Sequence, residues 1–260
     1  MKAESFNDAQ ARAAWDHGAD AWRAFIRSGA DYYRLEVHGP ALLEACGVVA
    51  GLRALDLGCG EGYFSRLLRE AGADVIGLEL SERMLDMARH EETLRPLGID
   101  YRLGSAVALE TLFAGERFDL ITSCMAVQDM SDPGACLRGA GQLLERGGRL
   151  VFSVPHPCTD PPVRVWHRNE HGEKIALMID RYFESGPAVF EWTMSRLAYP
   201  WSTPCWRHTL EQWSDLIRSA GLLMQRLIEP RPTEAAVKMR PELDDCRRVP
   251  CFLIIDAVKP

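Results

Sequence analysis

No stretch of this 260-residue chain approaches the ~20 uninterrupted apolar residues that a membrane-spanning helix requires. The leading Met1-Lys2-Ala3-Glu4-Ser5 also lacks the apolar core of a secretory signal. These two absences lead us to expect a cytoplasmic protein with no membrane partner. Positive charge is scarce as well: 30 Lys and Arg stand against 37 Asp and Glu, a formal net charge of −7. The chain as a whole therefore does not attract phosphate backbones, and nucleic acid is excluded as a default partner. Eight cysteines, Cys46, Cys59, Cys124, Cys136, Cys158, Cys205, Cys246 and Cys251, form no C-x-x-C pair and no zinc spacing. Reduced thiols, without disulfides or a metal site, are the expectation. At 47% hydrophobic residues the chain can bury a full core, and its length fits one elaborated domain over residues 1–260 better than two independent ones.

What the sequence does contain is a run from Leu52 to Leu68 that passes from an apolar strand through a glycine turn into an amphipathic helix. Gly58, Gly60 and Gly62 alternate, which permits positive φ and lets a small ligand lie against bare backbone under the unpaired N–H groups of the helix. A dinucleotide fingerprint would need its third glycine one place later, where Tyr63 stands, so the spacing disfavours NAD or FAD. Asp56 ends an otherwise apolar strand just before the turn, where its carboxylate can fix the loop or accept from an ammonium group. Asp74-Val75-Ile76-Gly77-Leu78-Glu79 reads as a second buried strand ending in an acid. A carboxylate so placed can accept both hydroxyls of a ribose.

Leu55-Asp56-Leu57-Gly58-Cys59-Gly60-Glu61-Gly62, followed by Gly77-Leu78-Glu79-Leu80-Ser81, resembles the class I S-adenosylmethionine-dependent methyltransferases in two motifs at the family's spacing. The resemblance covers residues 50–155 best. It implies S-adenosyl-L-methionine as cofactor and an α/β fold: a doubly wound, mostly parallel seven-stranded sheet of Rossmann-like type, with an N-terminal helical segment and a cap insertion. It also assigns candidate cofactor contacts. Asp56, Gly58, Cys59 and Gly60 would surround the methionine part, and Glu79 and Leu80 the ribose. Ser105 and Ala106 stand where the family usually carries Gly-Asp-Ala, with Ser105 replacing the acid that meets the adenine amino group. Cys124 and Met125 would end the fourth strand on the sulfonium side. Tyr33 and Arg34 lie in residues 1–48, the segment that closes over the cofactor in the family.

Outside these motifs, Asp8 to Arg27 has helical spacing, with Ala11, Trp15, Trp22 and Phe25 on one face. Leu143 to Val154 reads as a helix end, a glycine turn and the fifth strand. The stretch from Pro155 to Trp206 then breaks the alternation, holding seven of fifteen prolines and eight large aromatics. We read residues 159–206 as a cap that forms the substrate pocket, because an aromatic-rich insertion beyond a strand's carboxyl end is placed for that task. A helix over Leu210 to Ala220, a strand over Leu222 to Glu229 and a final strand over Cys251 to Val258 complete the chain; the resemblance implies that the last one is antiparallel. From Thr159 onward 14 basic and 14 acidic residues balance, and Arg164, Arg168, Arg181, Arg196 and Arg207 are candidates to receive an anionic acceptor.

Methyl transfer from a sulfonium is an in-line displacement, so alignment and exclusion of water dominate, and a base is needed only for some acceptors. His156, between two prolines after the fifth strand, is the first candidate base, and His208 the second. The reading is transfer to a small-molecule acceptor, with O, N and C acceptors left open. A noncatalytic S-adenosylmethionine-binding protein is the alternative, and an NAD-dependent oxidoreductase a more distant one. Oligomeric state is not addressed by the sequence.

Overall fold

Seven apolar runs pair into one sheet, and the helices between them divide over its two faces. The chain, a computed structural model, is described over residues 5–194 and 196–260. Met1-Lys2-Ala3-Glu4, read above for a signal, lies outside the described residues.

The elements are α1 (Asp8–Arg27), α2 (Gly39–Cys46), β1 (Arg53–Leu57), α3 (Tyr63–Glu70), β2 (Asp74–Glu79), α4 (Glu82–Leu94) and β3 (Asp100–Leu103). There follow α5 (Leu109–Leu112), β4 (Phe118–Cys124), α6 (Pro133–Leu143) and β5 (Leu144–Pro155). Beyond it come β6 (Val163–Arg168), β7 (Lys174–Asp180), β8 (Gly186–Trp192) and β9 (Trp201–Arg207), then α7 (Leu210–Ser219), β10 (Leu223–Ile228), α8 (Glu234–Met239), α9 (Asp245–Arg248) and β11 (Phe252–Val258). The sheet order is β10-β11-β5-β4-β1-β2-β3, with β11 antiparallel to both neighbours. The other pairings, from β5 to β3, are parallel.

The period of two along each strand decides what each side chain faces. Leu55, Leu57, Ile76 and Leu78 pack against Leu137 and Ala140 of α6 and Trp213 and Ile217 of α7. Ala54 and Val75 face the opposite layer, with Leu42 of α2, Phe64 and Leu68 of α3, and Leu85 of α4. Asp56 and Glu79 fall on this second face, at the carboxyl ends where a parallel sheet opens its crevice.

Two local details differ from the sequence reading. The glycine pair at 147–148 is not a turn ahead of β5 but a bulge inside it: Phe118 pairs with Leu144 and Leu120 with Arg149, so residues 145–148 leave the ladder where Gly147 takes a φ of 77°. The link between α1 and α2 contains a π-helical turn, Arg34–His38, a form found often at functional sites.

The insertion consists of two antiparallel hairpins, β6–β7 and β8–β9. The second packs on α1. Trp192 stacks on Trp201 with centroids 5.0 Å apart and planes at 4°, and meets Trp15 and Trp22 of α1 at 5.6 and 5.5 Å. Gly18 is buried against the Trp201 indole, leaving no room for a side chain. The other side of α1 is tied to the start of α4, where the Ser81 hydroxyl donates to Asp16 at 2.6 Å while its oxygen accepts from the Met84 N–H. Among the described residues no helix is long and apolar enough to cross a membrane, and no group of three or more His, Cys, Asp or Glu is placed to hold a metal ion.

Candidate active site

One cavity of about 610 Å³ opens beyond the carboxyl ends of β1, β2, β4 and β5. Its floor is the glycine turn. Gly58, Gly60 and Gly62 have φ of 64°, 56° and 82°, values that side-chain-bearing residues rarely adopt. A Cβ on Gly58 would come within 2.5 Å of the Ala126 Cβ beyond β4, so the turn is drawn tightly against that strand end.

Two buried carboxylates hold this floor in place. Asp56 accepts from the Ser65 hydroxyl of α3 at 2.6 Å and from the Thr122 hydroxyl of β4 at 3.0 Å. Burial pushes its carboxyl up to about 7. Of the two roles open to it, the structure displays loop fixing. Glu79 accepts from the N–H groups of Gly60 (2.9 Å), Leu80 (2.9 Å) and Ser81 (2.8 Å). An ionised carboxylate has about four lone-pair sites, so capacity remains on the cavity side. Burial raises its pKa, against the lowering effect of those backbone donors.

Gly58, Cys59, Gly60, Leu80, Ser105, Ala106, Cys124 and Met125 line the same space. Ser105 also caps a short turn, its hydroxyl oxygen accepting from the Val107 N–H at 3.2 Å. Met125 is a non-glycine residue with φ of 56°. It is held there by Ser153, whose carbonyl and hydroxyl both accept its N–H, and by Gln128, which donates to its carbonyl at 2.7 Å. Backbone strain fixed from two sides at a strand end is typical of functional positions.

Tyr33 and Arg34 line the cavity, but the Arg34 guanidinium is engaged by the protein. It lies 2.7 Å from Asp31, 2.7 Å from Glu61, and 4.3 Å over the Tyr63 ring. His38, missed in the sequence, is buried in the wall against Phe252 and Cys124, and burial pushes its imidazole down to about 3. Asp129 and Asp160, also missed, line the cavity. Desolvation lifts the Asp129 carboxyl well above the usual range, with Asp160 and Glu79 adding like charge.

The two histidines do not join this group. His156 is buried outside the cavity lining; its Nδ1 accepts from the Cys158 N–H at 3.2 Å, and its Nε2 lies 3.1 Å from Glu229. His208 packs on Trp213 and Trp206, and burial lowers its pKa to about 4. Proximity to a strand end suggested His156, yet the short turn it caps rotates the ring toward the end of β10.

A doubly wound sheet with a glycine turn after β1, an acid at the end of β2 and a cavity over both defines the class: an α/β protein built to hold a nucleoside ligand with an amino-acid-like tail. The residues fit S-adenosylmethionine, since the turn cannot accept side chains and Glu79 retains acceptor capacity. Residues 55–152 match the family described as "Methyltransferase domain". A crystal structure of an S-adenosylmethionine-dependent methyltransferase from Mesorhizobium loti is 33% identical, covers 84% of this chain and 96% of that one, and superimposes with a TM-score of 0.70. The ubiquinone biosynthesis O-methyltransferase of Cereibacter sphaeroides is 34% identical over 174 residues, 66% of this chain and 60% of that protein. The relative of the same name from Ruegeria pomeroyi is 33% identical over 173 residues, again 66% of this chain and 60% of that protein. This chain thus spans about 60% of the length of these curated relatives. The chain belongs to the S-adenosylmethionine-dependent methyltransferase family. Its cofactor is S-adenosylmethionine, not a nicotinamide.

Proposed function

We propose that this protein transfers a methyl group from S-adenosylmethionine to a hydroxyl of a small acceptor with an aromatic or otherwise flat body. The observation that carries this reading is the continuity of the cavity from Glu79 and the glycine turn to a wall of Trp15, Trp22, Phe190 and Trp192. Residues 1–48 and 159–206 act as the cover, α1 and the β8–β9 hairpin meeting over the opening. The relatives named O-methyltransferases favour oxygen among the possible acceptor atoms. The net charge of −7 fits a metabolite better than a nucleic acid, and eight free cysteines suit a reducing cytoplasm.

The bound sulfonium supplies an electrophilic methyl carbon. The protein's own groups do the remainder: Glu79 and the turn orient the cofactor, the tryptophan wall excludes water, and Asp129 takes the hydroxyl proton as the oxygen attacks. A carboxyl raised by burial is a stronger base than an ordinary one, and Asp129 faces the cavity where His156 does not.

The test is turnover, read as S-adenosylhomocysteine release with a panel of hydroxylated aromatic acceptors. Asp129→Asn is expected to lower kcat by roughly 10²–10⁴ with cofactor affinity unchanged, while His156→Ala leaves kcat and its pH limb in place. Wild-type turnover by the Asp129 variant would remove the base from this reading. The absence of methylation of every acceptor, with normal cofactor binding, would favour the noncatalytic alternative.

A further inference from the structure

We propose that Arg196 and Arg240, at the mouth of the cavity, bind a carboxylate carried by the acceptor. This rests on the methyl-transfer reading above and assigns the chemistry of the acceptor's outer end.

Of the five arginines singled out in the insertion, three are engaged elsewhere. Arg168 donates to the Gly172 carbonyl at 2.6 Å, Arg181 pairs with Glu184, and Arg207 faces Asp160 at 3.9 Å. Arg164 and Arg196 line the cavity, and the structure adds Arg240, from the turn after α8. Among the described residues none of these three guanidinium groups has a hydrogen bond or ion pair, the bonds of Arg240 being backbone ones. Arg164 nonetheless lies within the field of Asp160 and shares its neighbourhood with Asp245. Arg196 and Arg240 have no such balance. They approach Tyr32 from different segments, both charges acting on its phenol together with the acid Glu242, while Asp245 of the same lining is paired with Lys174. The Arg240 guanidinium lies 5.8 Å from the Tyr32 ring.

Two cations against one anion leave a single positive charge, which matches a carboxylate better than a dianionic phosphate. Two guanidinium forks also present the planar donor pairs that a carboxylate accepts. Tyr32 leads inward: its ring meets Tyr33 at 4.8 Å, and Tyr33 meets Phe252 at 6.0 Å, so a flat body seated at the arginines would lie along aromatic faces toward Met125. Glu79 and Asp56 also line the cavity, at the carboxyl ends of β2 and β1.

Naphthalene-2-carboxylate and the neutral, nearly isosteric naphthalene-2-carboxamide make the test, with binding read from tryptophan quenching in the presence of saturating S-adenosylhomocysteine. We expect the wild type to prefer the carboxylate by about tenfold or more, as charge-assisted bonds give. In the double variant Arg196→Ala, Arg240→Ala the preference is expected to vanish, and Arg240→Glu alone to invert it. Thermal melts and calorimetric affinity for S-adenosylhomocysteine show whether each variant is folded and its cofactor site intact. Equal binding of the two compounds by wild type, no binding of either, or a preference retained in the double variant overturns the proposal. The methyl-transfer reading fails by a different readout, the absence of cofactor binding or of any methylated product.

Discussion

Glu79 holds a loop at the place proposed for the cofactor's ribose. Its carboxylate already accepts three backbone N–H groups, so Glu79→Ala takes away a ribose acceptor and frees the Gly60 N–H together. Calorimetry is expected to show at least about tenfold weaker S-adenosylhomocysteine binding, from a loss of roughly 1.5–3 kcal/mol; unchanged affinity in a folded variant would remove Glu79 from the site. Glu79 and the glycines were legible in the sequence because their roles are set locally, by a strand end and by φ values that only glycine takes readily. Asp129 was not. It sits just after β4, but nothing in its neighbours marks that the loop turns it into a cavity shared with Asp160. Arg34 was legible as a cavity residue, but its engagement by Glu61 depends on a contact across 27 positions. His156 lies outside the cavity lining for a related reason: chain position placed it near the strand end, whereas a capping bond to Cys158 decided where the ring faces.

At the level of elements, α1 was read correctly from its spacing, and so were β1 and β2, because layered packing on a parallel sheet imposes those periods, whereas β5 was read without the bulge at its start. The insertion was legible only as an aromatic interruption. Its division into two hairpins depends on cross-strand register, and short alternating runs rich in proline define that poorly. The structure also shows that the second hairpin meets α1. Gly18 tests that contact. In an isolated helix Gly→Ala stabilises by about 1 kcal/mol, but here the added methyl would overlap the Trp201 indole. We expect Gly18→Ala to lower Tm and raise the acceptor's KM, with thermal melts and steady-state kinetics as the measurements. A rise in Tm would mean that α1 does not hold this position against β9.

Across the whole molecule, buried acids set the response to pH. Asp31, Asp56, Glu79, Asp129 and Asp160 all have carboxyls raised above their ordinary values, chiefly by burial. A folded chain that retains protons the unfolded chain has released loses stability as pH climbs. For Asp56 this stabilisation is fully present below about pH 3.9, the unfolded value, and is lost as pH rises through about 7. Asp56→Asn, which cannot ionise, is expected to flatten the fall in Tm between pH 5 and 8; parallel curves for variant and wild type would show that Asp56 does not titrate there. The meeting of α1 with β9 has a consequence for how the molecule is made. Trp22 leaves the ribosome 179 residues before Trp201, an interval of about 10–35 s at ordinary elongation rates of about 5–20 residues per second. Throughout that interval the tryptophan face of α1 has no β9 to cover it, so during biosynthesis the contact of α1 with β9 forms only after the sheet strands β1 to β5 have all emerged.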